Sequence, residues 1–195
     1  MARGWVKAAA LYTGAVVLGV ASAWLVLTRV GWSLNSFQVG AWRGTTLAGS
    51  AHADMYTRAV IALKALLALD RSETLYYVAE RDDAGKPLRS RCNYRVTGKP
   101  PDARWWSVTA NADDLYLFDA PNRQFSLNGD TAVLGSDGSF DLTTGPQPIV
   151  GTHWLPTPSE RGVVLALRLY NPSPAVQANP AGIVPPSIQP LGPCP

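Results

Sequence analysis

From Ala8 to Thr28 the chain runs for 21 residues without a charge, and this stretch constrains everything downstream of it. A helix rises ~1.5 Å per residue, so the run spans roughly the 30 Å hydrocarbon layer of a bilayer. A helix also satisfies every backbone polar group internally, as a lipid environment demands. Arg3 and Lys7 precede the run and only Arg29 follows it directly, which favours a cytoplasmic N-terminus. Trp5 and Trp32 flank the run at interfacial depth, whereas Trp24 lies deeper. The expectation is a single-pass anchor in the inner membrane over residues 1–30, with membrane contact through residues 8–28 and all that follows in the periplasm. Ala21-Ser22-Ala23 offers the alternative, a small-x-small cleavage site that leaves a secreted or periplasmic product. Either route exports the remainder. A buried core helix is disfavoured, because the run has no polar face.

The formal net charge of +3 follows from that topology. Arg3, Lys7 and Arg29 account for it, since residues 33–195 hold 14 basic and 14 acidic side chains. A neutral domain lacks the concentrated basic surface that phosphate backbones require, so no nucleic-acid partner is expected. Arg89, Arg91, Arg95, Lys99 and Arg104 form the densest basic cluster and read as a solvated sheet face. Two cysteines are present, Cys92 and Cys194. In an oxidising compartment they could close a disulfide that pins the C-terminal tail to the sheet; two unpaired thiols are the alternative. No metal site or cofactor is expected, because His52 and His153 show no ligand spacing.

Residues 31–50 read as a spacer and residues 51–195 as a β-sandwich domain with a Pro-rich tail. Met55, Ala59, Leu63, Leu66 and Leu67, with Tyr56 and Val60 beside them, predict an amphipathic helix of about 15 residues ending near Asp70. From Thr74 the period shortens to that of strands. Thr74–Arg81 and Arg91–Thr97 flank a turn cluster at 82–87 and read as a β-hairpin. Trp105–Ala110, Leu115–Phe118, Gln124–Leu127 and Thr131–Leu134 read as further strands. Asp137-Gly138 then turns the chain into Ser139–Thr143. Val163–Tyr170 has apolar residues at successive positions and reads as a central strand buried on both faces. Eight prolines lie beyond Asn171, which predicts an extended tail without helix. The fold class expected is mainly β: an antiparallel, jelly-roll-like sandwich with one packed helix behind a single transmembrane helix.

Five segments, taken in order, resemble the family known as domain of unknown function 1214. They are Tyr76-Tyr77 with Asp83, Gly85 and Pro87-Leu88; Asn93-Tyr94-Arg95 with Val96; Trp105-Trp106-Ser107-Val108-Thr109; Trp154-Leu155-Pro156; and Leu167-Arg168-Leu169-Tyr170 with Pro172. Asn122-Arg123 with Phe125-Ser126, and Asp137-Gly138-Ser139, stand where relatives carry similar turns. The likeness covers roughly residues 40–190 and looks like the short, membrane-anchored branch. It implies a jelly-roll-like sandwich in the cell envelope and carries no established activity. After the paired tryptophans the chain reads Ala110-Asn111-Ala112-Asp113-Asp114, where relatives commonly have a tyrosine-aspartate turn.

Hydrolytic chemistry would need a nucleophile, a histidine and an orienting acid at one place. His153 with Asp113 is the pair to test, and Ser107 has no sequence link to either. Asp82-Asp83 and Asp113-Asp114 read as turn acids that bond nearby backbone. The set with most recognition potential is Tyr94, Arg95, Trp105, Trp106, Arg123, Arg168 and Tyr170, because guanidinium beside aromatic rings suits sugars, carboxylates or phosphates. The expected role is a membrane-tethered binding or structural module of the bacterial envelope, with a hydrolase-like enzyme as the alternative.

Overall fold

The computed structural model describes residues 2–27, 36–63 and 69–194. Helix α1 (Ala2–Leu25) opens the chain. Within it Gly4–Leu25, 22 residues, is long and apolar enough to cross a bilayer, a test that a signal sequence also passes, and none of it is buried against the rest of the protein. Arg29 and Trp32 lie outside the described residues.

The remainder is built on two sheets. Strands β1 (Ser36–Val39), β2 (Trp42–Thr45), β3 (Thr74–Ala79), β5 (Ala103–Ala112), β6 (Ser126–Asn128) and β9 (Val163–Pro172) form the larger, in the order β1-β2-β3-β9-β5-β6. Strands β4 (Tyr94–Gly98), β7 (Phe140–Gly145), β8 (His153–Pro156) and β10 (Ser187–Pro190) form the smaller, in the order β10-β4-β7-β8. The class is mainly β, as expected, but not wholly antiparallel: β7 and β8 run parallel.

Alternation explains the packing. Along β9, Val163, Leu165, Leu167 and Leu169 point inward and join Val108, Trp106, Phe140, Leu142, Val96 and Ile188 in one core. Trp106 of one sheet stacks on Phe140 of the other, with ring centroids 4.8 Å apart. Burying a leucine side chain of this kind contributes ~1.5–3 kcal/mol, so the β9 row is a main source of stability. β9 sits between β3 and β5, which agrees with its expected central position.

Several local expectations are corrected. Thr74–Arg81 and Arg91–Thr97 do not form a hairpin: β3 pairs with β2 and β9, while β4 belongs to the other sheet. The turn cluster instead closes on itself through an Arg81–Pro87 bridge, and the chain then crosses to the second layer. The segment read as a spacer contributes the β1–β2 hairpin, turning at Gly40 with φ +58°. Leu115–Phe118 and Thr131–Leu134 make only single bridges, to Asn111 and Phe140. His153, read as a loop residue, begins β8.

Helix α2 (Met55–Leu63) starts where Asp54 accepts hydrogen bonds from the Thr57 amide (3.0 Å) and hydroxyl (2.6 Å), an N-cap. Those bonds hold the Asp54 carboxyl below its usual range. The predicted stripe is rotated: Val60 is buried as expected, but it is joined by Thr57 and Ile61, whereas Met55 and Tyr56 are exposed. Both faces satisfy a 3.6-residue period, so spacing alone does not choose between them. Leu66 and Leu67 lie outside the described residues.

The Pro-rich tail is more structured than expected. Ser173 caps a short helix α3 (Pro174–Ala178) that has Pro174 in its first turn, where a missing amide hydrogen costs nothing. Pro180 and Pro186 then supply carbonyls to Tyr77 Oη (2.8 Å) and Trp42 Nε1 (2.6 Å). Strand β10 completes the smaller sheet, with Ile188 fully buried. Cys92 and Cys194 stand in disulfide-bonding position at the end of this strap, with Cα atoms 4.9 Å apart across a separation of 102 residues.

Candidate functional site

The outward-pointing residues of the larger sheet are unlike its core. Opposite the leucine row, β9 presents Val164, Ala166, Arg168 and Tyr170. Register builds a two-row array around them. Thr74, Tyr170 and Trp105 face one another across β3, β9 and β5, and Tyr76, Arg168 and Ser107 form the next row. Thr109 stands one step further along β5. Rows lie ~6.8 Å apart along a strand and neighbours ~4.8 Å apart across strands.

Arg168 is the centre of this array. It is half-buried, and its Nη1 donates to Thr109 Oγ1 at 2.9 Å. Among the described residues it makes no ion pair and no further hydrogen bond. The Nε–Nη2 edge, the side-on edge that accommodates both oxygens of a carboxylate, is therefore unused there. Beside it, Tyr170 and Trp105 meet edge to face with centroids 5.1 Å apart. Trp105 Nε1 donates to Asp130 Oδ2 at 2.8 Å, which holds the indole in place. Burial raises the Tyr76 phenol, with Tyr170 adding to the rise and Arg168 opposing it, so Tyr76 remains a neutral donor at physiological pH. Ile61 of α2 and Ala48 pack on Tyr76 and wall the β3 side of the face.

Of the seven residues singled out by sequence, three meet here: Trp105, Arg168 and Tyr170. The other four are dispersed. Trp106 points into the core, being the inward neighbour of Trp105. Tyr94 is buried on the smaller sheet, where its Oη accepts from the Arg89 amide at 3.0 Å. Arg95 lies on that sheet's exposed face and pairs with Asp141 at 3.3 Å. Arg123 is exposed in a turn, with φ +56°. Tyr76, Ser107 and Thr109 are the members that residue type did not single out. Their signal was alternation about Arg168, but only strand pairing reveals which residues stand opposite it.

The hydrolase pair is not assembled. His153 Nε2 accepts from the Val133 amide at 3.3 Å, while Asp113 and Asp114 both engage Arg161, at 3.1 and 2.5 Å. Ser107 lies opposite Arg168, and no histidine is paired with an acid among the described residues. The described residues contain no group of three or more His, Cys, Asp or Glu able to hold a metal. Of the basic cluster, Arg89 and Arg91 line a recess of about 240 Å³ with Glu160 and Arg161.

A family model described as protein of unknown function (DUF1214) matches residues 73–174, which spans β3 to the start of α3 and includes every member of the array. No curated protein matches the chain. Among solved structures, the VPA0106 protein of Vibrio parahaemolyticus is similar at 20% identity and a TM-score of 0.59, over 72% of this chain and 36% of that one. An uncharacterised protein from Burkholderia cenocepacia is 17% identical with a TM-score of 0.45, over 60% of this chain and 29% of that one. The first likeness supports the fold alone. This chain spans about a third of the Vibrio protein's length.

Proposed function

Starting from a chain that belongs to the DUF1214 family of proteins of unknown function, we propose that it is a membrane-tethered binding module of the bacterial envelope that reads its ligand on the outer face of the larger sheet. The observation that carries this reading is the Nε–Nη2 edge of Arg168, unused among the described residues. A half-buried guanidinium with no counter-ion among the described residues is a cost to the fold, and such costs are retained where they serve recognition. The half-buried rings of Trp105 and Tyr170 supply contact area on the same face. The tether rests on α1, whose apolar length suits a bilayer and whose flanking Arg3 and Lys7 favour a cytoplasmic N-terminus. The juxtaposed Cys92 and Cys194 fit an oxidising compartment on the far side. A jelly-roll ancestry for the two sheets fits the same reading.

The test separates recognition from architecture. Replacing Arg168 by Met together with Thr109 by Val removes both hydrogen-bond partners at once, which is close to neutral for a merely structural contact. Denaturant unfolding of the double variant is expected to show stability unchanged or raised by up to ~1 kcal/mol, as for other function-bearing sites. A loss above ~2 kcal/mol would make Arg168 a structural residue and remove the basis of the reading. Topology is checked independently by reporter fusions at the C-terminus, with activity expected only for a reporter that works outside the cytosol.

A further inference from the structure

Arg168 offers one planar edge, and that edge limits the ligand. Its Nη1 is engaged by Thr109, which leaves Nε and Nη2 side by side. Two parallel N–H groups match the two oxygens of a carboxylate. Among the described residues, the array around Arg168, made of Thr74, Tyr76, Trp105, Ser107, Thr109 and Tyr170, holds no second cation. A carboxylate's single charge is balanced there, whereas a phosphate dianion would be left half-neutralised. One row along β9, about 7 Å away by strand geometry, Tyr170 and Trp105 present partly exposed ring surface. Aromatic faces flanked by polar groups accept the C–H face of a sugar ring while nearby donors and acceptors take its hydroxyls. A purely apolar ligand would leave the guanidinium desolvated and unpaired, at a penalty. Asp130, bonded to the far edge of Trp105, sets a negative charge at the other end of the platform and disfavours a second acid group there.

Resting on the binding reading above, we propose that the ligand class is an acidic saccharide, with its carboxylate on the Nε–Nη2 edge of Arg168 and its ring against Tyr170 and Trp105. The experiment titrates the full-length chain in detergent micelles with oligogalacturonate, oligomannuronate and muramic-acid-containing glycan fragments. Methyl-esterified oligogalacturonate and inorganic phosphate serve as comparisons, and calorimetry provides the readout. At least one acidic oligomer is expected to bind, with the ester form at least tenfold weaker. Arg168→Met should weaken binding at least tenfold, and Arg168→Lys, which keeps the charge but loses the fork, should fall between. Equal binding of ester and acid, or binding indifferent to Arg168→Met, overturns the proposal. So does binding of phosphate through Arg168 with no saccharide bound, which leaves the binding face intact but changes its ligand. Failure of every probe also overturns the acidic saccharide. The binding reading itself then stands or falls on the stability of the Arg168→Met, Thr109→Val chain.

Discussion

The two faces of β9 share one backbone and one set of neighbours, yet they are built to different ends. Leu165, Leu167 and Leu169 are 0–1% exposed and interlock with the smaller sheet. The residues between and beyond them, Arg168 and Tyr170, are half-buried beside Tyr76 and Trp105. A strand optimised only for stability would carry apolar residues all along its outer face as well. Here a charge occupies a position on that face, and the inner row supplies the stability that tolerates it. The contrast predicts that inner-face substitutions move stability and leave recognition alone, while outer-face substitutions do the reverse.

The largest test is Leu167→Ala. Leu167 is 1% exposed at the centre of the core, so truncation leaves a cavity and should cost about 3–5 kcal/mol in denaturant unfolding. A cost below ~1 kcal/mol would show that the sheets are loosely packed and that the two faces do not differ as described. Next in size is Cys194→Ser. If the bond forms, it closes a loop of 102 residues, and its loss should lower stability by about 2–4 kcal/mol in the oxidised protein and not at all under reductant. An equal effect in both conditions would mean that the thiols are not joined.

Alkaline pH provides a third comparison, again between inner and outer positions. Burial raises the phenol pKa of Tyr77 and Tyr94 in the core and of Tyr76 on the outer face, with Tyr77 shifted furthest. Each group holds its proton more tightly when folded than when unfolded. Their contribution is therefore fully present below about pH 10 and is lost as pH rises above it through the folded pKa values. Unfolding monitored with phenolate absorbance should show a flat stability to about pH 10 and a decline beyond it. Tyr77→Phe should blunt that decline more than Tyr76→Phe, while also losing the bond to Pro180.

Much of this contrast was legible in the residues themselves. Successive apolar positions identified β9 as central; both faces are buried over residues 163–167, whereas at Arg168 and Tyr170 the outer face is only partly covered. Trp105 and Trp106 had to diverge for the same geometric reason. Pairing was not legible. Nothing local distinguishes β3 turning back onto β4 from β3 joining β9, some ninety residues later, since non-local register is set by tertiary packing. The face of α2 was equally open, because two stripes fit its period and Asp54 capping fixes where the helix starts, not how it is rotated. For the site, residue type found the arginine and two rings but grouped them with Tyr94, Arg95, Trp106 and Arg123, which the fold disperses.

The smallest effect expected sharpens the comparison most. Arg95 and Arg168 are both arginines at outward strand positions, so composition cannot tell them apart. Arg95 pairs with Asp141 at 3.3 Å, and both side chains are close to half exposed. Such surface pairs contribute ~0–1 kcal/mol, since solvent screens the attraction and two long side chains lose freedom. Arg95→Met should therefore change stability by less than ~0.5 kcal/mol and change ligand binding not at all. Arg168 differs in having no carboxylate on its free edge among the described residues, so its replacement by Met is expected to weaken binding at least tenfold, and together with Thr109→Val to leave the fold unharmed. Were Arg95→Met to weaken binding as much as Arg168→Met, a diffuse positive field would explain recognition, and the geometry of the Arg168 edge would carry no special weight. Repeating both titrations at raised salt makes the distinction quantitative: a diffuse field is screened within a Debye length of ~8–10 Å, whereas a half-buried bidentate contact is screened far less.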